Sequence, residues 1–372
     1  MASPPAILIA AASGRALARS ARQGGYVPLV ADYFGDQDTV ALAHSHVRID
    51  HGLEHGMDED KLIGAFETLA VSQEPIGVVC GTGFEDRPHL LGRIAQRWRL
   101  FGNDPHTVAT IKDPLAFAAL CRDCDIAHPQ TSSSPLAPAG WLAKRKGGAG
   151  GSHIATPTEQ NGGAGQVYFQ RHVPGVPVSA LFLADGRRAV TLGFSTQWSS
   201  PTAGRPYRYG GAVRPAALVS GVAKALSDAV LRLAAAIPLV GLNSADFLVD
   251  GTEFWLLEIN PRPGATLDIF EPAKGSLFAL HIAACEGELS TAPPNLDGAS
   301  AAAIVYAEHD IALFPAWRWP AWTADRPHPG TSIKAGEPLC TVSATESTAA
   351  ATKALVDERI AMVLAWTHAT MS

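Results

Sequence analysis

The sequence predicts an α/β and α+β multidomain protein, on three observations. Short apolar runs alternate with amphipathic segments over the N-terminal part. Asp-Gly pairs join β-prone runs further on. At 372 residues the chain is too long for one core and implies two to three domains. Hydrophobic residues make up 47% and charged residues 17%, the balance of a folded globular chain. A net charge of −6 leaves no electrostatic footprint for nucleic acid or an anionic membrane. No apolar run is long enough to span a bilayer. The run Ala6–Ala12 lacks a preceding basic region and reads as a buried strand, not a signal peptide. Five cysteines, an odd number, do not make a disulfide framework, so the cytoplasm is the expected compartment.

In order, Ile7–Ala12 is a strand, Arg15–Gln23 a helix closed by Gly24-Gly25, and Val27–Ala31 the next strand, ending in an acidic loop over 32–36. Strand–helix–strand with apolar strands indicates a parallel sheet. The first turn lacks the spaced glycines of a dinucleotide fingerprint. Leu62, Ile63, Phe66 and Leu69 recur at helical spacing within 58–73, and Ile76–Cys80 is another strand. Ligands gather at the carboxyl ends of such strands. Glu85, Asp86 and Arg87 are therefore either substrate contacts or the acidic first turn of a helix running to Trp98. Asn103-Asp104-Pro105 closes this domain, and Leu115–Asp123 is a helix. Its Cys121 and Cys124 have no second pair and read as ordinary helix thiols. A Ser/Pro loop covers Thr131–Ala139, and Gly140–Lys144 is a strand.

Two stretches carry chemistry. In Lys144–His153, glycines 147, 148, 150 and 151 let backbone N–H groups approach an anion, and three cations stand just before them. Alone, this also fits a solvated hairpin tip. The second stretch is a hairpin, Ala245–Val249 and Phe254–Ile259 around Asp250-Gly251. Strict alternation puts Phe254, Leu256, Glu258 and Asn260 on one face, with Asp246 directly across from Glu258. Two acids about 5 Å apart repel by roughly 3 kcal/mol at an effective dielectric of 20, so a cation is expected between them. Asp246, Glu258 and Asn260 offer the hard oxygens that suit Mg²⁺. Arg262, set between Pro261 and Pro263, adds a charge at the same mouth. The pattern reads as a Mg²⁺–phosphate site.

Between and beyond these lie strands at Val167–Gln170, Val178–Leu183 and Ala189–Phe194, and a polar, aromatic, glycine-rich loop over 195–214, long enough to be functional. Helices follow at Leu218–Ile237 and Ser276–Cys285, with a linker at 291–294. The tail has strands near Ala302–Ala307 and Leu339–Val342 and a helix from Thr348 to Thr367.

This order of parts resembles the ATP-grasp superfamily. The resemblance rests on Lys112-Asp113-Pro114, a strand ending in Lys144, the loop at Gly147–His153, a linking strand, and the acid, Glu-x-Asn and Pro-Arg of the hairpin. The N-terminal segment Ser13–Tyr26, the loop at Gly81–Pro88 and the segment from Asp325 to Val342 look like the predicted ATP-dependent carboligase branch. Members of that branch are similar to biotin carboxylase and tyramine–glutamate ligase and occur in methanofuran- and methanopterin-type one-carbon cofactor pathways. The resemblance implies a Rossmann-like pre-ATP-grasp domain (1–104), one ATP-grasp lobe with the Gly-rich loop (105–170), a second with the Mg²⁺ site (171–290), and a β-rich C-terminal region with a terminal helix (291–372). It implies that Lys112 and Lys144 contact ATP phosphates and that Gly147, Gly148, Gly150 and Gly151 close over them. Asp246, Glu258 and Asn260 would hold Mg²⁺ (two ions, with Mn²⁺ able to substitute), and Arg262 the transferring phosphate. Gln170, Arg171, His172 and Val173 form the adenine-facing linker, where Arg171 replaces the usual Glu. The implied activity is an ADP-releasing carboxylate–amine ligase, with Lys144 and Arg262 catalytic. Amino-acid ligation of glutamate type is the implied reaction. The partners are a small carboxylate and an amine, with room for a homodimer. The alternatives are a non-catalytic nucleotide-binding protein and a carboxylase working through carboxyphosphate. Against the last, the turn around Lys334 lacks Met-Lys-Met for biotin attachment.

Overall fold

Apolar segments flanked by amphipathic helices can bury both faces of a parallel sheet, and the N-terminal residues do so. The computed structural model describes residues 3–49, 56–134, 139–157, 166–290 and 292–369. Strands β1 (Ala6–Ala11), β2 (Val27–Asp32), β3 (Ser45–Arg48) and β4 (Pro75–Cys80) are linked by helices α1 (Arg15–Gln23), α2 (Gln37–Leu42) and α3 (Glu59–Ser72), and α4 (Pro88–Ala95) follows. Every pairing is parallel, in the order β3-β2-β1-β4. β1 is buried along its whole length, as helices on both faces require. The strand order reverses between β1 and β4, which places a crevice between the loops after Ala11 and Cys80.

Two Asp-Pro pairs build the corner that follows. Asp104 caps α5 (Pro105–Lys112) by accepting from the amides of His106 and Thr107. Asp113 caps α6 (Pro114–Asp123) through Leu115 and Ala116. A residue before proline disfavours helix, so α5 ends at Lys112 and turns that side chain inward. A small antiparallel sheet comes next, β5 (Thr131–Ser132), β6 (Trp141–Arg145), β7 (Ile154–Ala155) and β8 (Val167–Arg171), in the order β5-β8-β6-β7. Residues 135–138 of the predicted Ser/Pro loop lie outside the described residues, as does Thr291 of the predicted linker.

The remaining strands make one sheet. They are β9 (Val176–Asp185), β10 (Ala189–Ser199), β11 (Tyr209–Arg214), β12 (Val240–Asp250), β13 (Glu253–Asn260), β14 (Ala299–Tyr306), β15 (Thr323–Ala324) and β16 (Pro338–Glu346), with helices α7 (Ser220–Ala236), α8 (Leu267–Phe270), α9 (Leu277–Cys285) and α10 (Ala349–Ala369). Their order is β13-β12-β9-β10-β11-β14-β16-β15. Val222, Leu226, Val230 and Leu233 of α7 pack on one face, against Phe182 and Phe247. On the other, Leu181, Leu183 and Leu242 meet Phe278 of α9 and Ile7 and Val30 of the N-terminal sheet.

One expectation changes. The segment 195–214 is not one loop, because β10 runs on to Ser199 and β11 begins at Tyr209. Both strands have partners on each side, and that pairing overrides their loop-like composition. The tail strands continue the large sheet, since β14 pairs with β11. Among the described residues no helix is long and apolar enough to cross a membrane.

Candidate functional site

The hairpin registers as the sequence predicts, with Asp246 opposite Glu258 and Ser244 opposite Asn260. The assignment of faces is different. The register shifts between Asp246 and Phe247, so Leu257 is an extra, bulged residue and Leu256 faces Phe247. Cross-strand partners share a face. Phe254, Leu256 and Ile259 therefore line the α7 core with Ala245, Phe247 and Val249, while Glu258 and Asn260 turn to the opposite side with Asp246. The predicted common face of Phe254, Leu256, Glu258 and Asn260 is thus broken by one bulge. The edge strand is pinned beside it: the Leu256 amide donates to the Ala127 carbonyl at 2.9 Å, and the Leu256 carbonyl accepts from His128 Nδ1 at 2.7 Å.

The polar groups form a continuous chain. The Ser179 hydroxyl donates to Asp246 Oδ1 at 2.6 Å, and Asn260 Nδ2 donates to Asp246 Oδ2 at 2.9 Å. Lys112 Nζ donates to Asn260 Oδ1 at 3.0 Å and lies 3.4 Å from Glu258 Oε2. Burial, and next the charge of Glu258, pushes the Asp246 carboxyl up. Burial acts on Glu258 in the same direction, but Lys112, Lys144, His153 and Arg262 outweigh it and hold that carboxyl below its usual range. Among the described residues no three His, Cys, Asp or Glu side chains gather into a closed metal cage. Two carboxylates and an amide oxygen in an open cleft suit Mg²⁺, which keeps waters and substrate phosphates as ligands.

Across the cleft, Lys144 is 5% exposed and donates to Gln170 Oε1 at 3.0 Å. Burial pushes its pKa down, with Glu258 opposing. The three cations of the sequence do not point to one place, because alternation along β6 separates them. Lys144 faces in, Arg145 is exposed at the rim, and Lys146 pairs with Asp113 at 3.4 Å. The glycine loop is docked at both ends. Gly147 has φ +65°, and a Cβ there would lie 2.5 Å from Asp86 Cα. Gly151 has φ +70°, and its Cβ would fall 1.9 Å from the Tyr207 carbonyl oxygen. The Gly150 carbonyl accepts from the Tyr209 amide at 2.9 Å. Segment 81–87, which holds the candidate substrate contacts, and what remains of the functional loop expected over 195–214 thus both touch the glycine loop.

Of the predicted linker, Gln170 alone lines the cleft cavity, with Lys112, Gly147, Gly148 and Glu258. Arg171 is exposed and turned outward, donating to the Ala139 carbonyl beside the Trp141 ring. The amides of Arg171 and His172 are taken by the carbonyls of Gln130 and Gly140, and Val173 is half-buried. Arg262 pairs with Glu85 at 2.7 Å, so Glu85 does not open α4, whose N-cap is Arg87. The cavity is also lined by His153, which ends the glycine stretch, and by His128 and Tyr168, which carried no mark in the sequence. His153 has a buried Nδ1 with no hydrogen-bond partner among the described residues, and burial pushes its pKa down to about 4. Its place just after the glycine loop was the one available signal.

Residues 113–266 match the family described as the ATP-grasp domain. No curated protein matches the chain. Among solved structures it is similar to the biotin carboxylase domain of Hydrogenobacter thermophilus 2-oxoglutarate carboxylase, in complex with MgADP, ADP and bicarbonate. The identity is 12% and the TM-score 0.72, over 92% of this chain and 86% of that one. It is also similar to Staphylococcus aureus N5-carboxyaminoimidazole synthetase complexed with ADP, at 14% identity and TM-score 0.69, over 97% and 98%. A third is the biotin carboxylase–β-γ-ATP complex from Campylobacter jejuni, at 16% and 0.68, over 92% and 87%. At such identities the likeness carries the fold. The chain has the ATP-grasp fold, and its residues 113–266 are an ATP-grasp domain.

Proposed function

We propose that the protein is an ATP-dependent, ADP-releasing ligase that joins a small carboxylate to an amine. The observation that carries this reading is the chain Ser179–Asp246–Asn260–Lys112–Glu258, turned by one bulge onto the cleft side. A buried carboxyl pushed up by its neighbour, beside a second held ionised, is a site that gains from a cation. In this reading Asp246, Glu258 and Asn260 hold Mg²⁺, which supplies charge neutralisation to the phosphates. Lys112 and Lys144 bind phosphate oxygens, and Gly147–Gly151 exclude water.

The substrate carboxylate oxygen attacks the γ-phosphorus, the bond to the bridging oxygen breaks, and ADP departs. The amine nitrogen then attacks the acyl carbon, phosphate leaves with the electron pair, and the amine loses a proton. Positioning and electrostatics do most of this work. Arg262 faces the transferring group, and water exclusion protects the acyl phosphate. Residues 1–104 contribute the crevice at the β1/β4 loops, 105–170 and 171–290 the two ATP-grasp lobes, and 291–372 the edge of the large sheet. The finer reading, glutamate-type amino-acid ligation in methanofuran- or methanopterin-like cofactor synthesis by a homodimer, rests on the sequence resemblance, and the cytoplasmic compartment on the odd cysteine count.

A second reading, carboxylation through carboxyphosphate, is favoured by the bicarbonate bound in the Hydrogenobacter structure. One assay separates the two. ADP release is followed against a panel of carboxylates crossed with amines, and against bicarbonate alone. The ligase reading expects turnover only with a carboxylate–amine pair, abolished in Glu258→Gln. Turnover with bicarbonate alone supports the carboxylase, and ATP binding without turnover under any mixture supports a non-catalytic nucleotide-binding protein.

A further inference from the structure

The loop after β4 ties the first domain to the phosphoryl site through consecutive residues. Glu85 Oε1 accepts from Arg262 Nε at 2.7 Å and lies 2.7 Å from Nη2, with the two side chains 4% and 13% exposed. The other carboxylate oxygen accepts from the amides of Gly83 at 2.8 Å and Phe84 at 2.9 Å. Asp86 lies under Gly147 of the glycine loop, and Arg87 Nη1 donates to the Met57 carbonyl at 3.1 Å. Behind Arg262, Gly264 leaves the space that Nη1 fills, since a Cβ there would lie 2.4 Å from it. Nη2 also reaches Asn260 Oδ1 at 3.5 Å.

Glu258 and Asp246 both feel the charge of Arg262, and its pairing with either would fill the place a cation needs. Glu85 prevents this. It is anchored by two amides and grips Arg262 through Nε and Nη2, which fixes the plane of the guanidinium. Charge-assisted bonds to a buried carboxylate are among the stronger side-chain contacts.

We propose that Glu85 is a positioning residue. It holds Arg262 at the mouth for an incoming phosphoryl or carboxylate oxygen and makes that placement depend on the loop beneath the lid. This deepens the ligase reading and, as a statement about turnover, rests on it.

The test uses the full chain and Glu85→Gln, which keeps shape and loses the charge, with Glu85→Asp as a second variant that keeps the charge and shortens the reach. With an active carboxylate–amine pair, kcat is expected to fall at least thirtyfold in Glu85→Gln while KM for Mg·ATP stays within threefold. Adding Glu85→Gln to Arg262→Lys should cost less than threefold more, because both act through one group. Unchanged kcat, or additive losses, overturns the proposal. Two readouts do not need turnover. The ¹⁵N-labelled Arg262 Nε–H should give a resolved, slowly exchanging signal in the native chain and lose it in Glu85→Gln. Inorganic phosphate should bind the native Mg·ADP complex at least tenfold more tightly than the variant's. If no mixture yields ADP, the ligase reading fails, and the positioning role is judged on these two alone. An unchanged signal or equal phosphate binding overturns it.

Discussion

Replacing Lys144 by methionine keeps the bulk of the side chain and removes its charge. Lys144 is 5% exposed and its ammonium donates to the amide oxygen of Gln170 and not to a carboxylate, so its charge is left for an incoming anion. A phosphate oxygen bearing unit charge about 4 Å away would interact by roughly 4 kcal/mol at an effective dielectric of 20. Allowing up to half of that to be lost to screening by waters and neighbouring charges leaves about 2–4 kcal/mol, or roughly 30- to 1000-fold in Kd for Mg·ATP. Stability should move the opposite way, because an apolar isostere removes the cost of burying a charge. Lys146→Met is the control. Its side chain is 37% exposed and pairs with Asp113 at the surface, a contact of about 0–1 kcal/mol, so its Kd should change less than about fivefold. Titration calorimetry with Mg·ATP and thermal unfolding of both variants measure the two signs. A Lys144→Met protein that binds within threefold of the parent would refute the reasoning, as would a Lys146→Met protein that loses as much.

Three further outcomes follow from the geometry. Gly151→Ala meets the Tyr207 carbonyl at 1.9 Å with φ at +70°, so the glycine loop should lift and Mg·ATP affinity fall at least tenfold. The melting temperature should change little, and an unaltered Kd counts against a docked lid. Arg171→Glu supplies the acid that the sequence resemblance implies at this position, yet the side chain points outward along Ala139 and Trp141; less than a threefold change in Mg·ATP affinity is expected, and a large gain would show that the linker reads the base through this side chain. His281 is 1% exposed, its Nδ1 accepts from the Leu242 amide, and burial, only partly offset by the Phe101 carbonyl, pushes its pKa down to about 4. The unfolded chain then takes up the proton first, so stability is full above pH 6.5 and is lost as pH falls toward 4, by about 3 kcal/mol in all. Urea denaturation at pH 7 and pH 5 checks this, and the difference between the native chain and His281→Gln should shrink at the lower pH.

Much of the site was legible because the hairpin is a local object. Asp250-Gly251 sets the turn, the turn sets the register, and the register puts Asp246 opposite Glu258. Parity was not legible. Nothing distinguishes Leu257 from Leu256 in sequence, and the bulge exists because Ala127 and His128 bind the edge of β13 from outside. The same limit applies to Glu85, whose partner Arg262 stands 177 positions away. It applies again to Arg15, buried by Asp268 and by Asp325 of the tail. In the N-terminal parallel sheet, period and burial agree for β1, β2, β4 and the face of α3, which were readable, while the short, half-exposed β3 was not. In β10 and β11 composition argued for a loop, and only pairing on both sides argues for strand.

Once the register is known, a larger pattern follows from it. Glu258 pairs with Asp246, Asp246 with Ser179, and Ser179 with Ser195, so four polar residues cross four strands in one row on one face. Ser195 is fully buried and its hydroxyl has no partner among the described residues. An apolar sheet would be expected to fill such a row with valine or leucine, as the opposite face does with Ala245, Phe247 and Phe182. The bulge brings Glu258 into that row while leaving Leu256 in the core. One extra residue thus reconciles a strand that reads as apolar with a face that must carry charge.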